Sequence, residues 1–484
     1  MRRFAITVLL SGLLAVPFLV PQTKAAELPS EPAKDAAAEI KALQKERIAA
    51  LTGVVETFRD LPADVKAQVD LRLTRPSNEI SASPFATLTS FEVHGESEDD
   101  GVIETMRRLG VKTVVMHNIH GSLPDAKDRR LNHWLDACDK AGIETRCILH
   151  STDLTLWRQA LVNYGGRIRH WSFLNEPNAP TQNDHSRPMF MPEKYVELLA
   201  QVRKIRDEVA PRCRLWGPET AMLQLMEDSP FPWLKRCLQA GLLEQVNGVS
   251  IHPYRQGYSP KNVPENPSTF EGRSGDGYKT YEEQIAVLRQ RTGNKPVAVT
   301  EVGWSTTPQG SICDHTQAKF ALRQQIQDFA MGLDCAVYFL LRERHVNCPC
   351  PLWHIENHFG IVHTDNTPKP AYIALQTLYS QLDSGCVKSL LPVEFGAANV
   401  KWCLYEDNRG AVPTLKLFYW LPVPAEDNFP PTTTSVKLSG VTVPQVPLLD
   451  CPMILRLHKI AGQWGHPVLI NPVLQTVQDD LQWQ

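Results

Sequence analysis

Two glutamates each follow an apolar run of the sequence. Glu176 comes after Trp171-Ser172-Phe173-Leu174-Asn175, and Glu301 comes after Pro296-Val297-Ala298-Val299-Thr300. A charged side chain directly after a buried strand costs free energy unless it is paired or has a function. Two carboxyl groups that face one another can divide the roles of acid and nucleophile, as the hydrolysis of a glycosidic bond requires. Stabilisation by a helix dipole would explain Glu176 alone, but not the pair.

Polar and aromatic residues beside these glutamates are candidates for the same site. Asn175, directly before Glu176, is either a turn residue or a hydrogen-bond partner of a substrate. His252 and Tyr254 close another apolar run, and one of them is expected to donate a hydrogen bond to Glu301 and keep it ionised. The alternative for both is a place in the core, as a buried histidine with satisfied hydrogen bonds and a packed ring.

Five further residues lie where strands are predicted to end. Trp304 is interpreted either as core packing or as a platform on which a sugar ring stacks. Glu219 is interpreted either as a substrate contact or as part of a surface loop. The other candidates are expected to line the same face of the fold, at the ends of the first two strands: His94, His117 and Asn118.

Repeated strand–helix units are predicted to position these residues. From about residue 80, short apolar runs rich in β-branched residues alternate with longer helical ones. Strands are predicted near 86–92, 112–117, 144–149, 170–174, 213–217, 247–252, 296–301 and 335–340, with helices at 99–109, 129–141, 192–210, 278–292 and 315–332. Eight such units favour a closed (β/α)8 TIM barrel at 80–384, with its functional residues at the C-terminal ends of the strands. An open doubly wound sheet would need a glycine-rich turn after its first strand, which is missing.

The last hundred or so residues have a different pattern. From 385 to 484, strand-like pieces such as Thr414-Leu415-Lys416-Leu417-Phe418-Tyr419-Trp420 are separated by Pro and Gly clusters. This pattern predicts a small β-sandwich domain. Since no long flexible tract separates it from the barrel, the sandwich is expected to pack against the barrel.

The two glutamate segments resemble those of glycoside hydrolase clan A. Leu174-Asn175-Glu176-Pro177-Asn178 is similar to the segment that ends strand four of that clan, and Thr300-Glu301-Val302-Gly303-Trp304 to the one that ends strand seven. Ser250-Ile251-His252-Pro253-Tyr254 is a weaker match to the end of strand six. Phe359-Gly360-Ile361-Val362 and Lys369-Pro370-Ala371-Tyr372 resemble the stretch before the last barrel helix. The resemblance covers roughly residues 83–380, and the trailing sandwich resembles families 39 and 51 of the clan, which include β-xylosidases and arabinofuranosidases.

This resemblance implies a retaining glycoside hydrolase. It makes Glu176 the general acid/base, Glu301 the nucleophile and Asn175 the partner of the sugar 2-hydroxyl. It implies a carbohydrate substrate and neither a metal nor an organic cofactor. Two departures from the clan affect the substrate subsite: its usual Arg near the end of strand two and Trp at the end of strand eight are absent from Val115-Met116-His117-Asn118 and Phe339-Leu340-Leu341-Arg342-Glu343.

The start of the chain predicts export to the periplasm or the extracellular space. Met1-Arg2-Arg3 precedes an apolar stretch at 4–20, and small residues surround a cleavage point after Ala25. A single membrane anchor is the alternative, but a spanning helix needs about 20 apolar residues. Removal of 1–25 changes the formal charge from -3 to -6, which is not typical of a protein that binds nucleic acid. After cleavage no apolar segment is long enough to insert in a membrane.

Residues 26–79 are predicted to be a helical spacer, or a contact between copies.

The chain has 11 cysteines, an odd number, so at least one is free or pairs between chains. Cys348-Pro349-Cys350 lies near His345 and His354. A loop disulfide or free thiols are favoured there over a metal site, because no second cysteine pair has the spacing of zinc ligands.

Two other functions use the same residues. A carbohydrate-binding pseudoenzyme would keep the barrel without turnover, and a transglycosylase would pass the sugar to an acceptor other than water. The sequence does not choose among β-xylosides, arabinofuranosides and β-glucosides, nor does it decide the oligomeric state.

Overall fold

The computed structural model describes residues 70–71, 85–90, 96–118, 129–179, 190–221, 223, 233–255, 261–268, 280–307, 312–343, 355–383, 385–410, 412–426, 429–430, 432–460 and 462–473. Strand β1 (Asp70–Leu71) is the first described element. The predicted signal peptide, most of the predicted spacer and the Cys348-Pro349-Cys350 segment lie outside these residues.

Eight parallel strands form a closed barrel, which confirms the predicted fold class. β2 pairs with β9 through Phe85 and Ala336 and so closes the ring. Each strand overlaps one of the predicted segments. The strands are β2 (Phe85–Ser90), β3 (Thr113–Asn118), β4 (Glu144–Leu149), β5 (His170–Phe173), β6 (Arg214–Ala221), β7 (Gly248–His252), β8 (Val297–Val302) and β9 (Ala336–Tyr338).

Helices alternate with these strands and cover the outside of the barrel. Asp153 and Thr280 accept backbone N–H groups at the starts of α3 and α7, as helix N-caps do. The five predicted helices correspond to α1, α2, α4, α7 and α8. The helices are α1 (Glu96–Leu109), α2 (Arg129–Ala141), α3 (Leu154–Tyr164), α4 (Pro192–Val209), α5 (Trp233–Gln239), α6 (Leu242–Gln245), α7 (Tyr281–Thr292), α8 (Asp314–Ala330) and α9 (Pro370–Gln381), with a 3-10 turn at Ile355–His358.

The C-terminal part is the predicted β-sandwich. Its larger sheet has the order β1-β17-β16-β13-β12-β10, and its smaller sheet the order β11-β14-β15. β1 pairs in parallel with β17, so Asp70–Leu71 is a strand of the sandwich. The prediction of a helical spacer over 26–79 does not hold for these two residues. The strands are β10 (Val387–Lys388), β11 (Val393–Phe395), β12 (Lys401–Asp407), β13 (Thr414–Trp420), β14 (Thr432–Leu438), β15 (Val441–Leu448), β16 (Met453–Ile460) and β17 (Gln463–Ile470).

Helix α8 connects the barrel to the sandwich, as the expected packing of the two parts requires. Every residue of α8 from His315 to Asp328 is buried, although many are polar. Lys319 Nζ lies 2.9 Å from Asp450 Oδ2, and Arg323 donates to the Val423 carbonyl oxygen at 2.9 Å. Polar groups inside such an interface cost free energy unless they are paired, and these are.

The nine described cysteines are buried and form no disulfide. Burial raises the pKa of several of these thiols, that of Cys335 to about 11. In the part of the chain that the structure describes, no helix has both the length and the apolar content needed to cross a bilayer.

Candidate active site

The C-terminal ends of the barrel strands bring together the candidate residues that the sequence places there. Glu176 lies in the turn after β5, and Glu301 is the fifth residue of β8. His252 ends β7, and His117 lies near the end of β3. Because parallel strands of one barrel end on the same face, these side chains converge although they are far apart in the sequence.

The backbone around Glu176 is held in an uncommon conformation. Leu174, Glu176 and Glu219 have φ values of 61°, 43° and 53°, a left-handed region that non-glycine residues rarely adopt. Glu176 N–H donates to the Glu219 carbonyl oxygen at 3.0 Å. The Asn178 side chain bridges the backbone N–H and carbonyl of Ala221, at 2.9 and 2.8 Å. Local strain of this kind persists only where surrounding contacts impose it, and it clusters at functional sites.

Glu301 is fully buried and is faced by possible donors on several sides. The Tyr254 hydroxyl donates to Oε1 at 2.7 Å. Nε2 of His117 lies 3.5 Å from Oε2, and Nδ1 of His252 lies 3.8 Å from the same oxygen. Donors and positive charge favour the ionised form of a carboxyl group, so this arrangement suits a carboxylate nucleophile.

Glu176 lies on the opposite side of His252 from Glu219. Its Oε1 is 3.1 Å from His252 Nδ1. One oxygen of Glu176 and one of Glu301 lie within 4.8 Å of each other. Two carboxyl groups this close to one another, at the open end of a barrel, can act on one bond between them.

His252 is enclosed by three carboxyl groups. Its Nε2 lies 3.1 Å from Glu219 Oε2, while Nδ1 faces Glu176 and Glu301. Burial lowers the pKa of His252, but the charge of Glu301 and the hydrogen bonds to Glu176 and Glu219 outweigh it and raise the pKa to about 10. These carboxyl groups therefore favour the protonated form of His252.

Glu219 lies in a buried strand and not in the surface loop that was one interpretation of its sequence position. It is fully buried within β6, so it is not part of a surface loop. Burial raises the pKa of its carboxyl group, but the hydrogen bond and charge of His252 and the hydroxyls of Ser172 and Thr300 outweigh it and lower the pKa below its usual value. The register irregularity of β6 between Pro218 and Thr220 turns Glu219 toward His252, and no sequence periodicity signals such a bulge.

The structure describes the other candidate residues to different extents. Trp304 is only 2% exposed and packs against Phe320, which fits the interpretation of its ring as core packing. Asn175 is half-buried, and its Oδ1 accepts no hydrogen bond from the described residues. Asn118 ends β3, but its side chain, like all of His94, lies outside what the structure describes.

Glu176, His252 and Glu301 each offer an atom at a spacing that would also suit a metal ion. His252 Nδ1 would have to lose its proton to bind a metal, because the ligand form of histidine is neutral. The surrounding carboxyl groups favour the protonated form of His252, so a metal ion at these atoms would have to displace that proton.

Comparison with solved structures shows which known proteins share this architecture. A family 39 glycoside hydrolase from the gut symbiont Bacteroides cellulosilyticus WH2 aligns with a TM-score of 0.58 at 17% identity, over 79% of this chain and 82% of the other. The chain has the fold of a family 39 glycoside hydrolase. A monomeric β-xylosidase from Caulobacter crescentus CB15 aligns with a TM-score of 0.49 at 15% identity, over 73% of this chain and 76% of the other. No family model and no curated protein matches the chain.

Proposed function

We propose that this protein is a retaining glycoside hydrolase that cleaves O-glycosidic bonds by double displacement. The observation that carries the proposal is the separation of Glu176 and Glu301, which bring one oxygen each within 4.8 Å at the C-terminal face of the barrel. Retaining enzymes hold their carboxyl groups about 5–5.5 Å apart, whereas inverting enzymes leave room for a water at about 6.5–9.5 Å. The fold of a family 39 glycoside hydrolase supports the same reaction class.

The first step forms a bond between Glu301 and the sugar. A Glu301 oxygen attacks the anomeric carbon, and the bond from that carbon to the leaving oxygen breaks. Its electron pair goes to the leaving oxygen, which takes the proton of Glu176. The Tyr254 hydroxyl, 2.7 Å from Glu301 Oε1, orients the attacking carboxylate.

The second step releases the sugar. Glu176, now a carboxylate, takes a proton from water, and the water oxygen bonds to the anomeric carbon as the ester bond to Glu301 breaks. Asn175, whose Oδ1 accepts no hydrogen bond from the described residues, is the proposed partner of the sugar 2-hydroxyl. A buried amide oxygen in that state can accept from a hydroxyl of the substrate.

The test measures release of the aryl group from aryl β-xylosides, β-glucosides and α-L-arabinofuranosides by the mature protein. Glu301→Ala is expected to abolish turnover because no ester can form. Glu176→Ala is expected to lose about 10²–10⁴-fold in rate, the usual contribution of a general acid, and least on substrates with very good leaving groups. Azide, a nucleophile that needs no base, should restore turnover of Glu176→Ala. Glu394→Ala is the control, because Glu394 is exposed in the sandwich and pairs with Lys437.

Stereochemistry tests the retaining mechanism separately. NMR of the first product formed should show the anomer of the substrate. Inverted product would contradict double displacement, and sugar binding without any product would point to a binding protein. Full activity of Glu301→Ala would remove the assignment of the nucleophile.

Export is a further part of the proposal, supported by the charged and apolar start of the chain. Expression of the full chain in a bacterial host should deliver it to the periplasm or medium, with a new N-terminus after Ala25 that protein sequencing identifies. A retained leader in an intracellular product would contradict this.

A further inference from the structure

Both ring nitrogens of His252 face a carboxyl group. Nδ1 lies 3.1 Å from Glu176 Oε1, and Nε2 lies 3.1 Å from Glu219 Oε2. A neutral imidazole has a single N–H and would turn a lone pair toward one of the two, whereas an imidazolium donates to both. The geometry therefore requires a proton on each nitrogen when both carboxyl groups are ionised.

Glu219 is fixed by the strands that carry the two proposed catalytic glutamates. The Thr300 hydroxyl donates to Glu219 Oε2, and Thr300 directly precedes Glu301 on β8. Ser172, on β5 just before the turn that holds Glu176, also hydrogen-bonds to Glu219. Glu219 faces Nε2 of His252 while Glu176 faces Nδ1 of the same ring, so Glu219 can influence Glu176 through His252.

We propose that Glu219 is a positioning residue that keeps His252 protonated and aimed at the space between Glu176 and Glu301. The proposal rests on the function proposed above. Among the described residues, the charged groups that face the imidazolium are Glu176 from the turn after β5, Glu219 from β6 and Glu301 from β8. His117 and Tyr254 contact Glu301 on its other sides.

This arrangement suits a reaction in which negative charge moves between two carboxyl groups. Before the first step Glu301 is the carboxylate; once its ester has formed, Glu176 has lost its proton and carries the charge. His252 Nδ1 lies 3.1 Å from Glu176 and 3.8 Å from Glu301, so one cation stabilises the charge at both ends. Without Glu219, the remaining carboxyl groups around the imidazolium would be Glu176 and Glu301, and the charge of both changes during the two proposed steps.

The test replaces Glu219 by its neutral isostere, Glu219→Gln. His252 then loses a carboxylate that favours its protonated form, so its pKa falls from about 10. The alkaline limb of the kcat profile should move to lower pH, and kcat at about pH 8 should fall by about tenfold, which corresponds to roughly 1.4 kcal/mol of lost transition-state stabilisation. KM should change little, because a positioning residue acts through His252 and not on the bound substrate. Glu219→Asp, which keeps the charge, should restore part of the loss.

A measurement on the ring itself does not depend on activity. The ¹⁵N chemical shifts of the His252 ring, assigned by their absence from His252→Asn, should show an imidazolium at about pH 8 in the unmodified protein. Loss of that signal pattern in Glu219→Gln is expected. A neutral His252 in the unmodified protein would overturn the proposal, whether or not any variant folds.

Two further comparisons separate positioning from general stability. Glu219→Gln in a His252→Asn background should lower kcat no further, because residues that act as a unit are not additive. Asp450→Asn removes another buried carboxylate, which pairs with Lys319 of α8 and not with His252, and should lower the melting temperature without moving the alkaline limb. An unshifted limb in Glu219→Gln, or additive losses in the double variant, would overturn the proposal. If no glycoside is cleaved at all, the proposed function fails, while the ring spectra still decide the role of Glu219.

Discussion

At the scale of single residues, the site is a set of buried carboxyl groups whose charge is balanced by donors. Glu301 has no exposed surface, and a buried carboxylate is costly unless donors face it. The Tyr254 hydroxyl supplies one at 2.7 Å, and the ring of Tyr254 is held edge-on by Phe339 and Phe359. This aromatic packing leaves the hydroxyl aimed at Oε1.

Removal of that hydroxyl should impair the chemical step. Tyr254→Phe keeps the ring and deletes a hydrogen bond to a charged group, worth about 1.5–3 kcal/mol. We expect kcat to fall by roughly 10–100-fold, with a smaller change in KM, as measured by steady-state hydrolysis. Tyr372→Phe is the control, since Tyr372 donates to the Thr105 carbonyl oxygen outside the site. Equal losses in the two variants would refute a specific role for Tyr254.

The sequence predicts the positions of these residues better than their contacts. Glu176, His252 and Glu301 were placed together because each closes an apolar run, and parallel strands end on one face. The sequence does not indicate the direction of the Glu219 side chain, because that direction depends on the irregularity of β6 at Pro218–Thr220. Trp304 lies just beyond a strand end, where strand alternation no longer says whether a ring turns inward or outward.

At the scale of elements, the turn after β5 is tied to the end of β6. The Asn178 side chain both accepts from and donates to the backbone of Ala221, as a neighbouring strand would. This tie and the hydrogen bond from Glu176 N–H to Glu219 hold a turn whose backbone is in the left-handed region. The position of Glu176 therefore depends on Asn178.

Loss of this tie should reduce both stability and activity. Asn178→Ala leaves the buried N–H and the buried carbonyl of Ala221 without their side-chain partner. Each unsatisfied group should lower the free energy of unfolding by about 1–3 kcal/mol. We expect a lower denaturation midpoint and a lower kcat. Asn247→Ala is matched to it, because Asn247 accepts from Leu215 N–H at the other end of β6. That variant should lose stability and keep its kcat; a similar loss of kcat there would mean that Asn178 acts through stability alone.

Element types were predictable because strands and helices alternate over the whole barrel. α3 was not predicted, yet Trp157, Ala160, Leu161 and Tyr164 are buried at helical spacing and Asp153 caps the helix start. The helical spacing of apolar residues is present in this segment but extends over only a few turns. Asp70–Leu71 could not have been predicted as a strand, since two residues carry no periodicity and their partner is distant in the sequence.

At the scale of the whole molecule, a line of contacts runs from the sandwich to the site. Trp420 Nε1 on β13 donates to Glu265 Oε1 at 2.8 Å, and Glu265 also pairs with Arg323 of α8. Glu265 belongs to the segment 261–268, and Ser268 Oγ in that segment donates to the Tyr254 carbonyl oxygen at 2.7 Å. The sandwich thus supports the loop that carries the partner of Glu301.

This contact predicts an effect of a sandwich residue on the barrel. Trp420→Phe keeps an aromatic ring and removes a hydrogen bond to a buried charged group, worth about 1.5–3 kcal/mol. In a chain of 484 residues the melting temperature should therefore fall by roughly 1.5–3 °C, at an unfolding entropy of about 2.1 cal/mol/K per residue. A modest decrease in kcat should accompany it. Trp402→Phe, which changes a partly exposed tryptophan of the same sheet, should alter neither quantity. Calorimetry and steady-state kinetics of the two variants provide the check.

The pairing of β1 with β17 makes the order of synthesis matter. Asp70 lies opposite Val468, so almost the whole described chain separates two strands that are neighbours in one sheet. A ribosome makes β1 first and β17 last, and β1 can take its place only when the barrel and the rest of the sandwich have been made. Contacts between segments so distant in sequence form slowly. A chain that stops before β17 would therefore lose β17 and also leave β1, the first strand that the structure describes, without the strand it pairs with.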